Sequence, residues 1–239
     1  VASSKFLIIG GSSGIGLAIT NHLSEQGHEV YVGSRTTDTI PQKDNIFHFY
    51  FDVLADEFPG TQLPETLEGL VYCPGTINLR PFRALKEEDF LADFRINLLG
   101  AVKTIRATQN LLRKTEEDTS SIVLFSTVAV QTGMAFHASI ASAKGAVEGL
   151  SRSLAAEFAP KIRVNCLALS LTNTPLAERL LGSEEKKKAS AERHPLQRFG
   201  EPSDIAETAC FLLSKRSSWI TGQVIHVDGG MSAIKLFRH

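Results

Sequence analysis

The chain has 239 residues and carries 25 Lys+Arg against 26 Asp+Glu, a formal net charge of −1. That length suits one large α/β domain, and a composition of 43% hydrophobic and 21% charged residues excludes disorder. The balanced charge removes the electrostatic basis for a dedicated nucleic-acid binder or a polybasic membrane binder.

The chain begins Val1-Ala2-Ser3-Ser4-Lys5 and runs straight into a strand-like segment, residues 6–9, with no signal-peptide pattern. No apolar run approaches the roughly 18 residues a membrane span needs, so a soluble, cytoplasmic protein without a membrane partner is expected. Residues 14–26 follow with helical spacing of Ile15, Leu17, Ala18 and Leu23. Residues 30–32 and 46–51 read as strands, as does 70–73, and residues 86–94 and 98–114 read as helices. Next come a strand at 122–125, a long helix at 140–158, a strand at 162–167, a helix at 202–214 and a last strand at Val224–Val227. Strands alternating with helices predict a doubly wound, Rossmann-type parallel α/β sheet of about seven strands, covered on both faces, in a single domain 1–239. Two crossovers lack a helix pattern. Residues 35–45 carry Thr36, Thr37, Thr39 and Pro41, and residues 54–68 carry Pro59, Gly60 and Pro64, so this edge is expected to lose helical cover. The three cysteines, Cys73, Cys166 and Cys210, lie far apart with no CxxC or Cys/His cluster, which speaks against a disulfide framework or a metal site.

Gly10, Gly14 and Gly16 sit where the first strand gives way to the first helix. One glycine turns the chain, one admits a pyrophosphate to the backbone, and one lets the helix pack on the sheet. An ordinary strand-to-helix turn also uses glycine, but this position favours a dinucleotide. The run Gly10-Gly11-Ser12-Ser13-Gly14-Ile15-Gly16 resembles the TGxxxGxG turn of the short-chain dehydrogenase/reductase family, with Ile9 in place of its threonine. Similarity continues at Asp52-Val53, Ile96-Asn97, Ser142-Ala143-Lys144-Gly145-Ala146-Val147 and Ile162-Arg163-Val164-Asn165. It extends through Arg198-Phe199-Gly200-Glu201-Pro202 and Ile220-Thr221-Gly222-Gln223 to Asp228-Gly229-Gly230, and is nearest to 3-oxoacyl-acyl-carrier-protein reductases.

The resemblance implies a nicotinamide dinucleotide. The end of the second strand reads Gly33-Ser34-Arg35-Thr36, with no Asp or Glu for a ribose 2′-OH. A guanidinium beside small hydroxyls suits a 2′-phosphate, which favours NADP(H) over NAD(H), although Arg35 also reads as a solvent-exposed loop residue. By resemblance Asp52 takes the adenine amino group and Val53 lies beside the ring. Pro74-Gly75 stands at the family's NNAG turn without its asparagines. Gly10, Ser12, Ser13, Gly14, Ile15, Gly16, Ser34, Arg35, Asp52, Val53, Pro74, Gly75, Asn97, Lys144, Thr172 and Thr174 make up the expected cofactor site.

The family's catalytic tetrad is Asn, Ser, Tyr and Lys. Asn97 and Lys144 fall on two of its markers, and Thr127 stands for the serine with Ser126 adjacent. Four residues before Lys144, where the tyrosine belongs, the chain has Ile140, which donates no proton. A positioned general acid contributes about 10²–10⁴-fold, so reduction by the standard route is expected to be impaired rather than abolished. His137, seven residues before Lys144, is the candidate replacement acid; its other reading is a loop residue at the pocket mouth. Met134 and Phe136 are expected in the pocket wall. Leu169-Ser170 replaces the family's PG turn, and Thr172-Asn173-Thr174-Pro175 is similar to the segment that bonds the nicotinamide carboxamide. Residues around 171–200 read as a substrate-covering lid, with Leu176, Leu180 and Leu181 on one side and a solvated Glu184-Glu185-Lys186-Lys187-Lys188 face. The reading is an oxidoreductase acting on a small-molecule carbonyl, 3-oxoacyl-like or a small ketone. The alternative is a non-catalytic NADP(H)-binding sensor or silent subunit. A homodimer or homotetramer is expected by resemblance, through residues 98–114, 140–158 and 231–239.

Overall fold

The strands and helices form where the patterning places them. β1 (Lys5–Ile9), β2 (Glu29–Ser34), β3 (Ile46–Tyr50), β4 (Gly69–Tyr72), β5 (Ser120–Thr127), β6 (Ile162–Leu169) and β7 (Val224–Val227) make one parallel sheet in the order β3-β2-β1-β4-β5-β6-β7. The structure, a computed structural model, describes residues 3–54, 57–115 and 119–236. The expected segments 1–5, 54–68 and 231–239 therefore lie partly outside the described residues.

The helices are α1 (Gly14–Glu25), α2 (Glu87–Phe94), α3 (Gly100–Arg113), α4 (Ala129–Thr132), α5 (Ala138–Phe158), α6 (Glu178–Leu181), α7 (Glu184–Glu192) and α8 (Pro202–Leu213). Alternate side chains along each strand point to opposite faces. Leu7, Leu70, Ile122 and Leu124 pack with Ile105, Leu112 and Val147 of α3 and α5. Ile8, Val71 and Val123 pack with Ile19, Leu23 and Ile205 of α1 and α8. The central strands are apolar almost throughout because both faces are covered. After β3 the chain returns across the sheet to place β4 beside β1. Strand order reverses there, which brings the loops after β1 and β4 together at the carboxyl ends of the strands.

The two short crossovers hold no α-helix among the described residues; the second contains a single 3₁₀ turn, Gly60–Gln62. A loop aromatic covers the exposed sheet face instead. The ring of Phe58 meets Phe51 and Phe49 edge-on, with centroids 4.9 and 6.0 Å away. Helices α2 and α3 are not separated by a break but joined by a π-helical turn, Arg95–Leu99. The wide turn points Asn97 inward and frees the Ile96 carbonyl, which accepts the Tyr72 hydroxyl at the end of β4. That bond ties the central strand to the helix where the family's asparagines are missing.

Two family-like motifs are stitched together at the other edge. Arg163 donates to the carbonyls of Leu212, Ser214, Ser217 and Ile220, and Asn165 bonds Ile220 and Gln223. Arg198 grips both carboxylate oxygens of Asp204, which also caps the Glu201 amide at the start of α8. No described helix is long and apolar enough to cross a membrane.

Candidate active site

The glycine turn is built by close approach. Gly10 and Gly14 have φ of +77° and +50°, in the left-handed region that glycine occupies without strain. A Cβ on Gly16 would lie 2.2 Å from the Gly10 carbonyl oxygen, so only glycine lets α1 pack onto the turn. Ser13, at the head of α1, has extended backbone and makes no side-chain cap, leaving the first amides for an external acceptor. Gly10 abuts Pro74 and Gly14 abuts Thr174, so the turn meets the loops after β4 and β6. Ser12 is buried behind the turn, and Ile15 lines the adjoining cavity.

The loop after β2 folds against this turn. Thr39 donates its hydroxyl to the Ser12 carbonyl, Ser12 Oγ lies 3.3 Å from Thr36 Oγ1, and Ser34 Oγ donates to the Thr36 carbonyl at 2.7 Å. Arg35 is exposed between them, and its guanidinium has no partner among the described residues. Asp52 accepts the Leu54 amide at 3.0 Å, and the Val53 carbonyl accepts Lys103 Nζ at 3.2 Å.

A cavity of about 490 Å³ opens beside the turn, with Lys144, Ile140, Thr127 and Gly75 in its wall. Lys144 is buried, and its Nζ donates to the Phe125 carbonyl at 3.0 Å. Burial lowers its pKa to about 8, against a smaller raising influence from Cys166, Cys73 and Asp93. The same burial pushes the Cys166 thiol up to about 12 and raises that of Cys73, so neither thiol is a nucleophile near neutrality.

Asn97 donates its amide to Thr76 Oγ1 at 2.9 Å and to the Asp93 carbonyl at 2.8 Å. Thr76 is itself fixed by the Asp93 carboxylate, which also takes the Ser139 hydroxyl. This assigns the amide orientation and leaves Asn97 Oδ1 buried without a partner among the described residues. A Cβ on Gly75 would sit 3.2 Å from that oxygen and 3.5 Å from Lys144 Nζ. Glycine at position 75 therefore keeps open the space the two groups share. Sequence reading finds Asn97 but misses Thr76, Asp93 and Ser139; the only local signal is Asp93, one helical turn before Asn97.

Thr127 lines the cavity and accepts the Ala129 amide at 3.3 Å, whereas Ser126 turns to Glu148 at 2.7 Å. Ile140 is 5% exposed and brings no polar atom to the wall. His137 is in the wall, its Nδ1 donating to the Ala135 carbonyl at 2.7 Å. Met134 is in the wall but Phe136 is not, contrary to expectation. Phe136 is 56% exposed on a left-handed backbone, φ +70°, and its carbonyl is held by the Arg80 amide.

Above the cavity, a 3₁₀ turn at Pro175–Ala177 leads into α6 and α7, with Leu176 and Leu180 facing in and Leu181 buried elsewhere. The charged run is a solvated face, with Lys187 and Glu184 paired at 2.7 Å. In place of a PG turn, the chain after β6 is braced by backbone bonds. Gly200 N donates to Leu171, Asn173 N donates to Gly200, and Thr172 pairs with Gly200. Thr172 Oγ1 donates to the Ser170 carbonyl, and Thr174 Oγ1 to the Thr172 carbonyl. Ser170 Oγ, in the cavity wall, bonds the buried ring of His194, a residue that no sequence motif marks.

Residues 59–232 match the family described as enoyl-(acyl carrier protein) reductase. The chain is 31% identical over 252 residues to L-xylulose reductase of Bos taurus, covering 98% of each. It is 36% identical over 173 residues, 70% of this chain and 74% of the relative, to a protein named inactive 2-(S)-hydroxypropyl-CoM dehydrogenase 2 from Xanthobacter autotrophicus. Its fold is similar to aldohexose dehydrogenase of Thermoplasma acidophilum, with a TM-score of 0.87 at 25% identity, covering 99% of this chain and 97% of that one.

Proposed function

The chain belongs to the short-chain dehydrogenase/reductase family, whose members use NAD(P), and from that premise we propose that it is an NADP(H)-dependent oxidoreductase interconverting a carbonyl and an alcohol. The carrying observation is that Asn97 Oδ1 and Lys144 Nζ converge on Gly75, and that Gly75 and Lys144 line a cavity shared with Ile15 of the glycine turn. The uncapped start of α1, the glycines that only a close neighbour explains and the free Arg35 guanidinium all fit a dinucleotide phosphate.

The turn from Gly10 to Gly16 takes the pyrophosphate with Ser12, Ser13 and Ile15. Arg35 and Ser34 take the 2′-phosphate, and Asp52 and Val53 flank the adenine. Pro74 and Gly75 support the ribose side, Lys144 and Asn97 hold the nicotinamide ribose end, and Thr172 and Thr174 hold the carboxamide. When bound, the cofactor supplies or accepts hydride at the substrate carbon. Thr127 orients the substrate oxygen by a hydrogen bond, and His137 stands at the mouth. The segment 171–200 closes over the substrate as a lid. Orientation of donor and acceptor alone lowers a barrier by about 7–11 kcal/mol, so turnover survives the loss of the tyrosine, at reduced rate.

The experiment is a fluorescence titration with NADPH and NADH, followed by NADPH oxidation with ketone, 3-oxoacyl and enoyl substrates. Tighter NADPH binding and measurable carbonyl reduction are expected; absence of binding to either dinucleotide overturns the reading. Ile140 and the likeness to an inactive relative favour one second reading, an NADP(H)-binding sensor or silent subunit. Its signature is NADPH binding without turnover.

A further inference from the structure

Ser170, the last residue before the lid, and His194, just after α7, form a hydrogen-bonded pair in the cavity wall. His194 is 2% exposed, and its ring is held at both nitrogens: Nδ1 lies 2.7 Å from the Ser190 carbonyl oxygen and Nε2 lies 2.9 Å from Ser170 Oγ. A carbonyl oxygen only accepts, so Nδ1 carries hydrogen whether the ring is neutral or charged. In the neutral ring Nε2 is an acceptor, and the Ser170 hydroxyl donates into it. In the imidazolium the bond reverses: Nε2–H donates to Ser170 Oγ, and the hydroxyl hydrogen is released toward the cavity.

The pair also lines a second recess of about 200 Å³, bounded by Arg198, Asp204 and Asp228. Ser170 and His194 thus stand between the cavity that holds Lys144 and Ile140 and a second recess at the head of α8. The other charged groups sharing the larger cavity are Arg179, Lys186 and Arg193 from the lid, with Lys144 on α5.

We infer that Ser170, backed by His194, delivers the proton to the substrate oxygen in place of the absent tyrosine. This rests on the carbonyl–alcohol reading above. As the carbonyl carbon takes up hydride from the reduced nicotinamide, the π pair of the C=O bond moves onto oxygen. That oxygen takes the Ser170 hydroxyl proton while Ser170 Oγ takes the proton from His194 Nε2. The ring is left neutral, with Nδ1–H still on Ser190, and once the alcohol leaves, a proton from solvent passed back through the Ser170 hydroxyl to Nε2 restores the imidazolium. One hydride and one proton are consumed per alcohol formed. Thr127 has no such acid behind its hydroxyl, which accepts a backbone amide instead. Ser170 is the catalytic residue of this relay, and His194 is a positioning residue that acts through it.

The test uses the full chain, NADPH and the ketone it reduces fastest. Ser170→Ala lowers kcat about 100-fold and leaves NADPH affinity and KM within about threefold. Ser170→Thr, which keeps a hydroxyl, recovers to within about tenfold of wild type, and His194→Gln lowers kcat while KM stays within about threefold. Independently of turnover, nitrogen NMR of histidine-labelled protein shows His194 protonated at Nδ1, with an Nε2 resonance that shifts in Ser170→Ala. An identical Nε2 resonance in both proteins overturns the relay. So does a Ser170→Ala variant with wild-type kcat, and in that case the oxidoreductase reading stands. A wild type that binds NADPH but reduces no carbonyl overturns both.

Discussion

Ile140 lies one helical turn before Lys144 on α5, and both side chains line the same cavity. A hydroxyl placed at position 140 would therefore stand beside a buried amine whose charge favours a phenolate. Ile140→Tyr is expected to raise kcat for carbonyl reduction about 10²–10⁴-fold while NADPH affinity stays within about threefold. Initial rates of NADPH oxidation in the two proteins check this. An unchanged rate with bound NADPH would show that proton delivery does not limit the wild type.

The relay and the restored tyrosine perform the same step, so their effects couple. Ser170→Ala costs about 100-fold in the wild-type background but only about threefold when Ile140 is already tyrosine. The four proteins form a double-mutant cycle read by kcat alone. Equal losses in both backgrounds would place Ser170 outside proton transfer.

What the chain discloses and what it hides divide along contact range. The seven strands and the glycine turn obey local rules, namely alternation, spacing and the steric demands of a turn, so both are readable before any folding is considered. The orientation of the Asn97 amide is not: it depends on Thr76, 21 residues earlier, which is itself fixed by Asp93. Ser170 and His194 are 24 residues apart and meet only because the chain after α7 returns to the end of β6. Phe58 is another such case, since a loop aromatic replaces a crossover helix without leaving a helical pattern. Phe136 departs from expectation for the converse reason: its hydrophobicity suggests a wall, while a left-handed backbone places the ring outside.

In the reading proposed above, dinucleotide preference rests on Arg35, which is exposed in the loop whose Thr36 hydroxyl lies against Ser12. A hydrogen bond to a charged group contributes about 1.5–3 kcal/mol, so Arg35→Ala should weaken NADPH binding about 10–100-fold and leave NADH binding within about threefold. Arg35→Glu should go further and favour NADH. Fluorescence titrations of both nucleotides give the ratio directly. Equal weakening of NADPH and NADH by Arg35→Ala would remove the 2′-phosphate role.

Lys144 also leaves a signature in stability. Its pKa is lowered from 10.5 to about 8 by burial in the folded chain. Below the folded value both states are protonated, and the fold carries the full cost of a buried ammonium. Between the two values the unfolded chain binds the extra proton, so stability rises with pH as the folded amine becomes neutral. Lys144→Met removes this contribution while filling similar volume, and near neutrality the variant is expected to be at least as stable as the wild type. By about pH 9.5 the wild type should have gained about 2 kcal/mol relative to the variant. Urea denaturation of both proteins at about pH 7 and about pH 9.5 measures the difference, in which all other titrations cancel. A stability difference that stays constant across that range would mean that the Lys144 amine is already neutral, or not buried, in the folded protein.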